Sequence, residues 1–235
     1  MKASNFIIAI LIIGAVSFFL YNSRQALAQK QQEPEETESV EQGTAQDAPI
    51  GDIDCPLEGS AREERLRDLN KLKNRTSFPD IQDFDISVTL EKMLAPGDDH
   101  DRFTTDKSAE ITGYVADVKV GGIETCNCKA KDPEHRDTHI ELVINPMNYV
   151  NTQKVIVEVT PRMRNIMKAK GIDWSTRGLR DKILGRWIKV KGWMLFDFEH
   201  EHQAENTNPG GDRNWRNTCW ELHPVTDMQV TDRPR

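Results

Sequence analysis

The sequence predicts a mainly β domain with accessory helices: a small five-stranded barrel with a helix between its third and fourth strands and another helix packed outside at its N-terminal end. Three observations predict it. From residue 108 onward apolar residues recur with a period of two, the mark of half-buried strands. After three such stretches the period turns helical and then returns to two. The 37% hydrophobic content of the 235 residues supplies one real core and is low for two, so the rest is appendage.

The first appendage is residues 1–28. Lys2 precedes sixteen uncharged, mostly apolar residues from Phe6 to Tyr21, and Ala26-Leu27-Ala28 stands ahead of Gln29. That charged, apolar, small-x-small order is a secretory signal. At ~1.5 Å per residue the run spans about 24 Å, short of a ~30 Å hydrocarbon core, which favours cleavage after Ala28. Arg24, beside the cleavage position, keeps open the alternative of an inner-membrane anchor formed by residues 6–21. Either way the remainder is expected to be exported, periplasmic or extracellular. Residues 29–54 hold eight Asp or Glu against one Lys and almost no large apolar side chain, which reads as an acidic disordered tether. The leader carries two positive charges and the tether seven net negative, so only two of the chain's net −7 belong to residues 55–235. A nearly neutral domain lacks the broad basic footprint of a nucleic-acid binder.

Residues 55–107 read as a helix and an extended lead-in. Ser60 and Glu63 have capping-box spacing, Leu66, Leu69 and Leu72 form a narrow apolar stripe, and Phe78-Pro79 ends the run. Thr89 to Asp101 reads as a short helix and a solvated acidic turn, because Asp98, Asp99 and Asp101 lack the full calcium-loop spacing. The barrel domain is residues 108–235. AEITGYVADVKV is its first strand, and the inward parity changes between Val115 and Val118, so a bulge is expected near 113–116. THIELVI turns Ile140 and Leu142 one way and His139 and Glu141 the other; KVIVEVT buries Val155, Val157 and Val159 and turns Ile156 and Glu158 away. Thr160 then caps a helix with Pro161 at its first position, a second short helix starts at Ser175, and residues 186–197 and NWRNTCWELHPV supply two more strands.

Three strands, a helix and two strands is the order of the OB-fold, a five-stranded Greek-key barrel, and RWIKVKGWM has the texture of its fourth strand. GYVADVKVGGIETCNCKAKDPEHRDTHIEL, VIVEVTPRMR and NWRNTCWELHPVT together resemble an uncharacterised family of exported bacterial proteins, over most of residues 57–231. The resemblance implies a shared domain and carries no activity. In an OB barrel the outer face of strands two and three, between the loops joining strands one to two and four to five, is the usual binding surface. Strand five lies beside strand three, so His139, Glu141, Glu158, Glu221 and His223 are expected to share that face. His135, His200 and His202 fall in its two long loops.

Imidazole and carboxylate together suit zinc or another first-row divalent ion, with His139, Glu141, His200, His202, Glu221 and His223 as the candidate ligands. Crowded carboxylates raise one another's proton affinity unless a cation sits among them. An ion with an open position would make a nucleophile from water, with Glu141, Glu158 or Glu221 as base, and Arg162, Arg164, Arg213 or Arg216 would hold an anionic group. The expected role is binding in the cell envelope, of a protein, a saccharide or a small anionic ligand, with membrane contact through the leader if it is not cleaved. A metal-dependent hydrolase of the phosphodiesterase or nuclease type is the enzyme alternative, and a structural envelope protein without a site is the third. The bland account is that alternating strands with one wet face display charge as a matter of course.

Cys126 and Cys128 open a C-x-C-x6-H-x3-H array with His135 and His139, which approaches structural zinc spacing, whereas export favours disulfides. Four cysteines allow three complete pairings. One of them, a bond from Cys55 to this loop, would staple the first helix to the barrel. Trp187 and Trp193 share a parity on strand four, for stacking a ring or for packing under a helix.

Overall fold

The computed structural model describes residues 54–150 and 152–234. The leader, and all of the acidic tether but its last residue, lie outside the described residues. No helix among the described residues is long and apolar enough to cross a membrane.

Five strands close a barrel: β1 (Ser108–Val120), β2 (Thr138–Val143), β3 (Val155–Val159), β4 (Trp187–Phe196) and β5 (Trp220–Thr231), in the order β1-β2-β3-β5-β4. Every pairing is antiparallel except β3 with β5. This is the expected OB-like topology. The parity change in β1 appears as a register shift between Val115 and Asp117. The added residue lets both Val115 and Val118 point inward, where they pack with Ile140, Leu142, Val157, Ile188, Val190 and Leu222. The expected fifth strand and the trailing DMQV are one continuous β5, which contains a cis His223–Pro224 peptide.

Among the described residues four α-helices accompany the barrel: α1 (Glu64–Lys73), α2 (Leu90–Met93), α3 (Pro161–Ala169) and α4 (Thr176–Ile183). The Thr160 hydroxyl caps α3 by accepting from the Met163 amide, with Pro161 in the first turn, and Ser175 caps α4 in the same way. Met163, Met167, Leu179 and Ile183 then join the core. The Ser60–Glu63 capping box does not form. Glu63 itself is the N-cap residue and makes no side-chain cap, because the amide of Ser60 is held by the carbonyl of Thr125. Nor is the 98–101 segment a plain solvated turn. Asp99 is buried and accepts from the Cys219 amide, Asn206 and Arg102, tying this loop to the start of β5.

Candidate metal centre

Strand alternation places His139 and Glu141 of β2, Glu158 of β3, and Glu221 and His223 of β5 outside the barrel, since Ile140, Val157 and Leu222 between them face its core. Register does the rest. His139 stands directly opposite Glu158, and the parallel pairing sets Val157 beside Leu222. This outer face is not wet: His139 is 3% exposed, Glu158 2%, and Glu221 and His223 are fully enclosed.

The covering consists of α1, the β1–β2 loop (121–137) and the β4–β5 loop (197–219). Asn70 donates to the Glu58 carbonyl and to Thr125, and Asn74 donates to the carbonyls of Leu57 and Cys126. Gly59 has φ +60°, and a Cβ there would lie 2.0 Å from the Thr125 carbonyl oxygen, so only glycine lets the two segments meet. A disulfide joins Cys55 to Cys128, which completes the attachment. From within the layer, Lys73 of α1 reaches Glu124 and Asp197, each at 2.7 Å.

Four groups of metal-competent donors result among the described residues, each with its donor atoms within 4.8 Å of one another. Three of them interlock. Glu124, His139 and Glu158 form one, Glu124, Cys126 and Asp137 a second, and Asp137, Glu158 and His223 a third, so each pair of groups shares one carboxylate. Around this ring, His139 Nε2 lies 2.9 Å from Glu158 Oε1, His223 Nδ1 3.5 Å from Glu158 Oε2, His223 Nε2 3.9 Å from Asp137 Oδ2, and Cys126 Sγ 3.3 Å from Glu124 Oε2. Apart from the hydrogen bond that Cys126 Sγ donates to Glu124 Oε2, these approaches are ion pairs without hydrogen-bond geometry. His139 Nε2, His223 Nε2, Glu158 Oε2 and Asp137 Oδ1 are all buried without a hydrogen-bond partner. Gly121 backs the ring, since a Cβ at that position would sit 2.8 Å from His139 Nε2. The fourth group, Asp197, His200 and Glu221, differs because Lys73 pairs with Asp197 and Arg216 pairs with Glu221 at 2.9 Å.

The electrostatics follow this division. Burial would raise Glu124, but Lys73 and then His139 outweigh it and hold the carboxyl at about 2. Burial would likewise raise Glu221, and Arg216 instead holds it well below the usual carboxylate range. Glu158 has no such neighbour; burial and then Glu221 push it well above that range. Asp137 is pushed up by burial, against the pull of His223. Burial lowers His223, yet Glu158, Glu221 and Asp137 prevail and raise it to about 9. The Cys126 thiol is pushed up by burial, Glu124 and Asp137. Among the described residues, five enclosed carboxylates (Glu124, Asp137, Glu158, Asp197 and Glu221) are ion-paired with only two Lys or Arg side chains, Lys73 and Arg216.

No family model matches the chain, and no curated protein matches it.

Several candidate residues stand elsewhere. Glu141 shares the face but is drawn aside by Lys154 at 2.8 Å and Lys119 at 3.0 Å, which outweigh burial and lower its pKa. Buried His200 belongs to the fourth group, while His202 is exposed beside Gln203. Cys128 is removed from any zinc set by its disulfide, and His135 faces Asp132 at 3.6 Å, so the C-x-C-x6-H-x3-H array divides. The arginines expected to hold an anion are internal ties. Arg162 donates to Asn74 and to the carbonyls of Cys55 and Pro56, Arg164 to Thr138 and the carbonyls of Glu134 and Arg136, and Arg216 to the Thr218 carbonyl while ion-pairing with Glu221. Arg213 is exposed. Trp193 donates to the Ser77 carbonyl beneath Arg75, which occupies its edge and face.

Glu124, Asp137, Asp197 and Lys73 were not anticipated. Asp137 carried a signal: it precedes His139 by two residues, the spacing that shares a strand face. Lys73 carried none, being one of two lysines in an outwardly charged helix.

Proposed function

We propose that this is a metal-binding OB module of the cell envelope that encloses a divalent cation beneath α1, held by Asp137, Glu158 and His223, with His139 beside it against Glu158. The observation that carries the reading is the interlocked ring of donors, in which buried imidazole nitrogens and carboxylate oxygens approach one another without hydrogen-bonding. Ligands sharing one ion stand that close with their lone pairs converging. Donor–acceptor pairs would instead aim a proton along the line. A cation also offsets the surplus of enclosed carboxylates, which otherwise requires protons on Glu158 and His223.

Export through the leader belongs to the same proposal, cleaved or retained as an anchor, and the Cys55–Cys128 disulfide supports an oxidising compartment. The hydrolase alternative needs a coordination position that substrate can reach. Enclosure of His139, Glu158 and His223 counts against it and favours a stabilising or storing role for the ion.

Metal analysis of the purified chain, dialysed after loading with zinc, tests the proposal. The expected result is stoichiometric metal in the unaltered chain and in Glu141→Gln, with loss in His223→Ala. An unaltered, folded chain that retains no metal overturns it.

A further inference from the structure

Resting on that reading, we propose that the layer holds two ions bridged by Glu158, the second bound by His139 and Glu124 beside the one at Asp137 and His223. No group of mutually close donors among the described residues contains both of these imidazoles. One ion therefore does not serve His139 and His223 together, and His139 Nε2, enclosed and without a hydrogen-bond partner, is left facing Glu158 at 2.9 Å. Glu158 is the residue common to the His139 group and the His223 group, which otherwise share nothing.

Strand register sets this bridge. His139 of β2 stands opposite Glu158 of β3, and the parallel pairing of Val157 with Leu222 brings His223 of β5 to the other side of the same carboxylate. Each oxygen of Glu158 consequently has its own imidazole: Oε1 lies 2.9 Å from His139 Nε2, and Oε2 lies 3.5 Å from His223 Nδ1. A terminal carboxylate completes each set. Asp137, for the first ion, is held by the Asn127 side-chain amide at 3.0 Å. Glu124 serves the second through Oε1, since Lys73 and Cys126 both take its Oε2. Imidazole with carboxylate suits zinc and its first-row neighbours at both positions. The charges agree. Five enclosed carboxylates against Lys73 and Arg216 leave three negative charges, of which one divalent ion offsets two. A second ion carrying hydroxide offsets the third, the hydroxide coming from a bound water that releases its proton to solvent. Lys73, 2.7 Å from Glu124, repels that second ion, which therefore binds more weakly than the first.

Zinc titration of the full chain, stripped of metal with the disulfide intact, counts the ions. Two equivalents are expected, the second at least ~10-fold weaker. With cobalt in place of zinc, the paramagnetic resonance signal per ion should fall as the second equivalent enters, because ions roughly 4 Å apart couple their spins. His139→Ala should take one equivalent of either metal, with an undiminished cobalt signal. A single equivalent in the unaltered chain overturns the second ion and leaves the enclosed ion standing. Two equivalents whose cobalt spins do not couple, or two retained in His139→Ala, overturn the bridge through Glu158. No bound ion in the folded, unaltered chain overturns the ion site as well. The decisive count is that of the unaltered chain, so it does not depend on any variant folding.

Discussion

The polar layer under α1 has two halves that solve the same problem differently. On the Asp197–Glu221 side each buried carboxylate has a fixed cation, Lys73 or Arg216, at 2.7–2.9 Å. On the Asp137–Glu158 side the neighbours are imidazoles and a thiol, whose charge depends on what they bind. The first half carries its counter-charges within the chain, whereas the second is neutralised only by protons or an ion. Burial alone therefore does not separate a structural ion-pair network from a ligand site; what separates them is whether the counter-charge is covalently part of the chain.

The largest expected effect breaks the self-sufficient half. Arg216→Ala leaves Glu221 enclosed with only His223 beside it and should cost about 3–5 kcal/mol in urea unfolding, with or without zinc. Arg216→Met with Glu221→Leu should recover most of that loss. Next is the dependent half: zinc at about 100 times its Kd should stabilise the unaltered chain by ~2.7 kcal/mol in the same assay, and should not stabilise His223→Ala.

Removing the ion sharpens the contrast through pH. His223 rises from 6.5 to about 9 on folding, so its contribution is whole below pH 6.5 and lost as pH rises through 9. Glu124 falls from 4.5 to about 2, so its contribution is whole above pH 4.5 and lost as pH falls through 2. Thermal unfolding of the metal-free chain should therefore show an alkaline limb of at most ~1.4 kcal/mol per pH unit for this one proton, flattened in His223→Gln. The smallest effect is Gly121→Ala, whose methyl displaces His139 and should weaken zinc roughly tenfold by competition titration, with little change in the metal-free melting temperature.

The barrel was legible because its signals are local. Period-two runs, the parity change in β1, and the Thr160-Pro161 cap each act within a few residues, and strand order follows from element order. The shared face of His139, Glu158, Glu221 and His223 was legible for the same reason, since parity plus topology puts them on one side. Exposure was not. Whether that side faces water depends on α1, and α1 is held there by Asn70, Asn74 and Gly59 through contacts over fifty or more residues of chain, which no periodicity records. The arginines misled for a related reason: a side chain that ties two carbonyls together reads in sequence like one awaiting an anion.

The Cys55–Cys128 bridge has a mechanical consequence. Helix α1 lies inside the covalent loop that the bridge closes, so tension on the chain ahead of residue 55 passes through sulfur into the β1–β2 loop and bypasses the helix. A domain tugged by its own N-terminus would keep its lid seated until that bridge was cut.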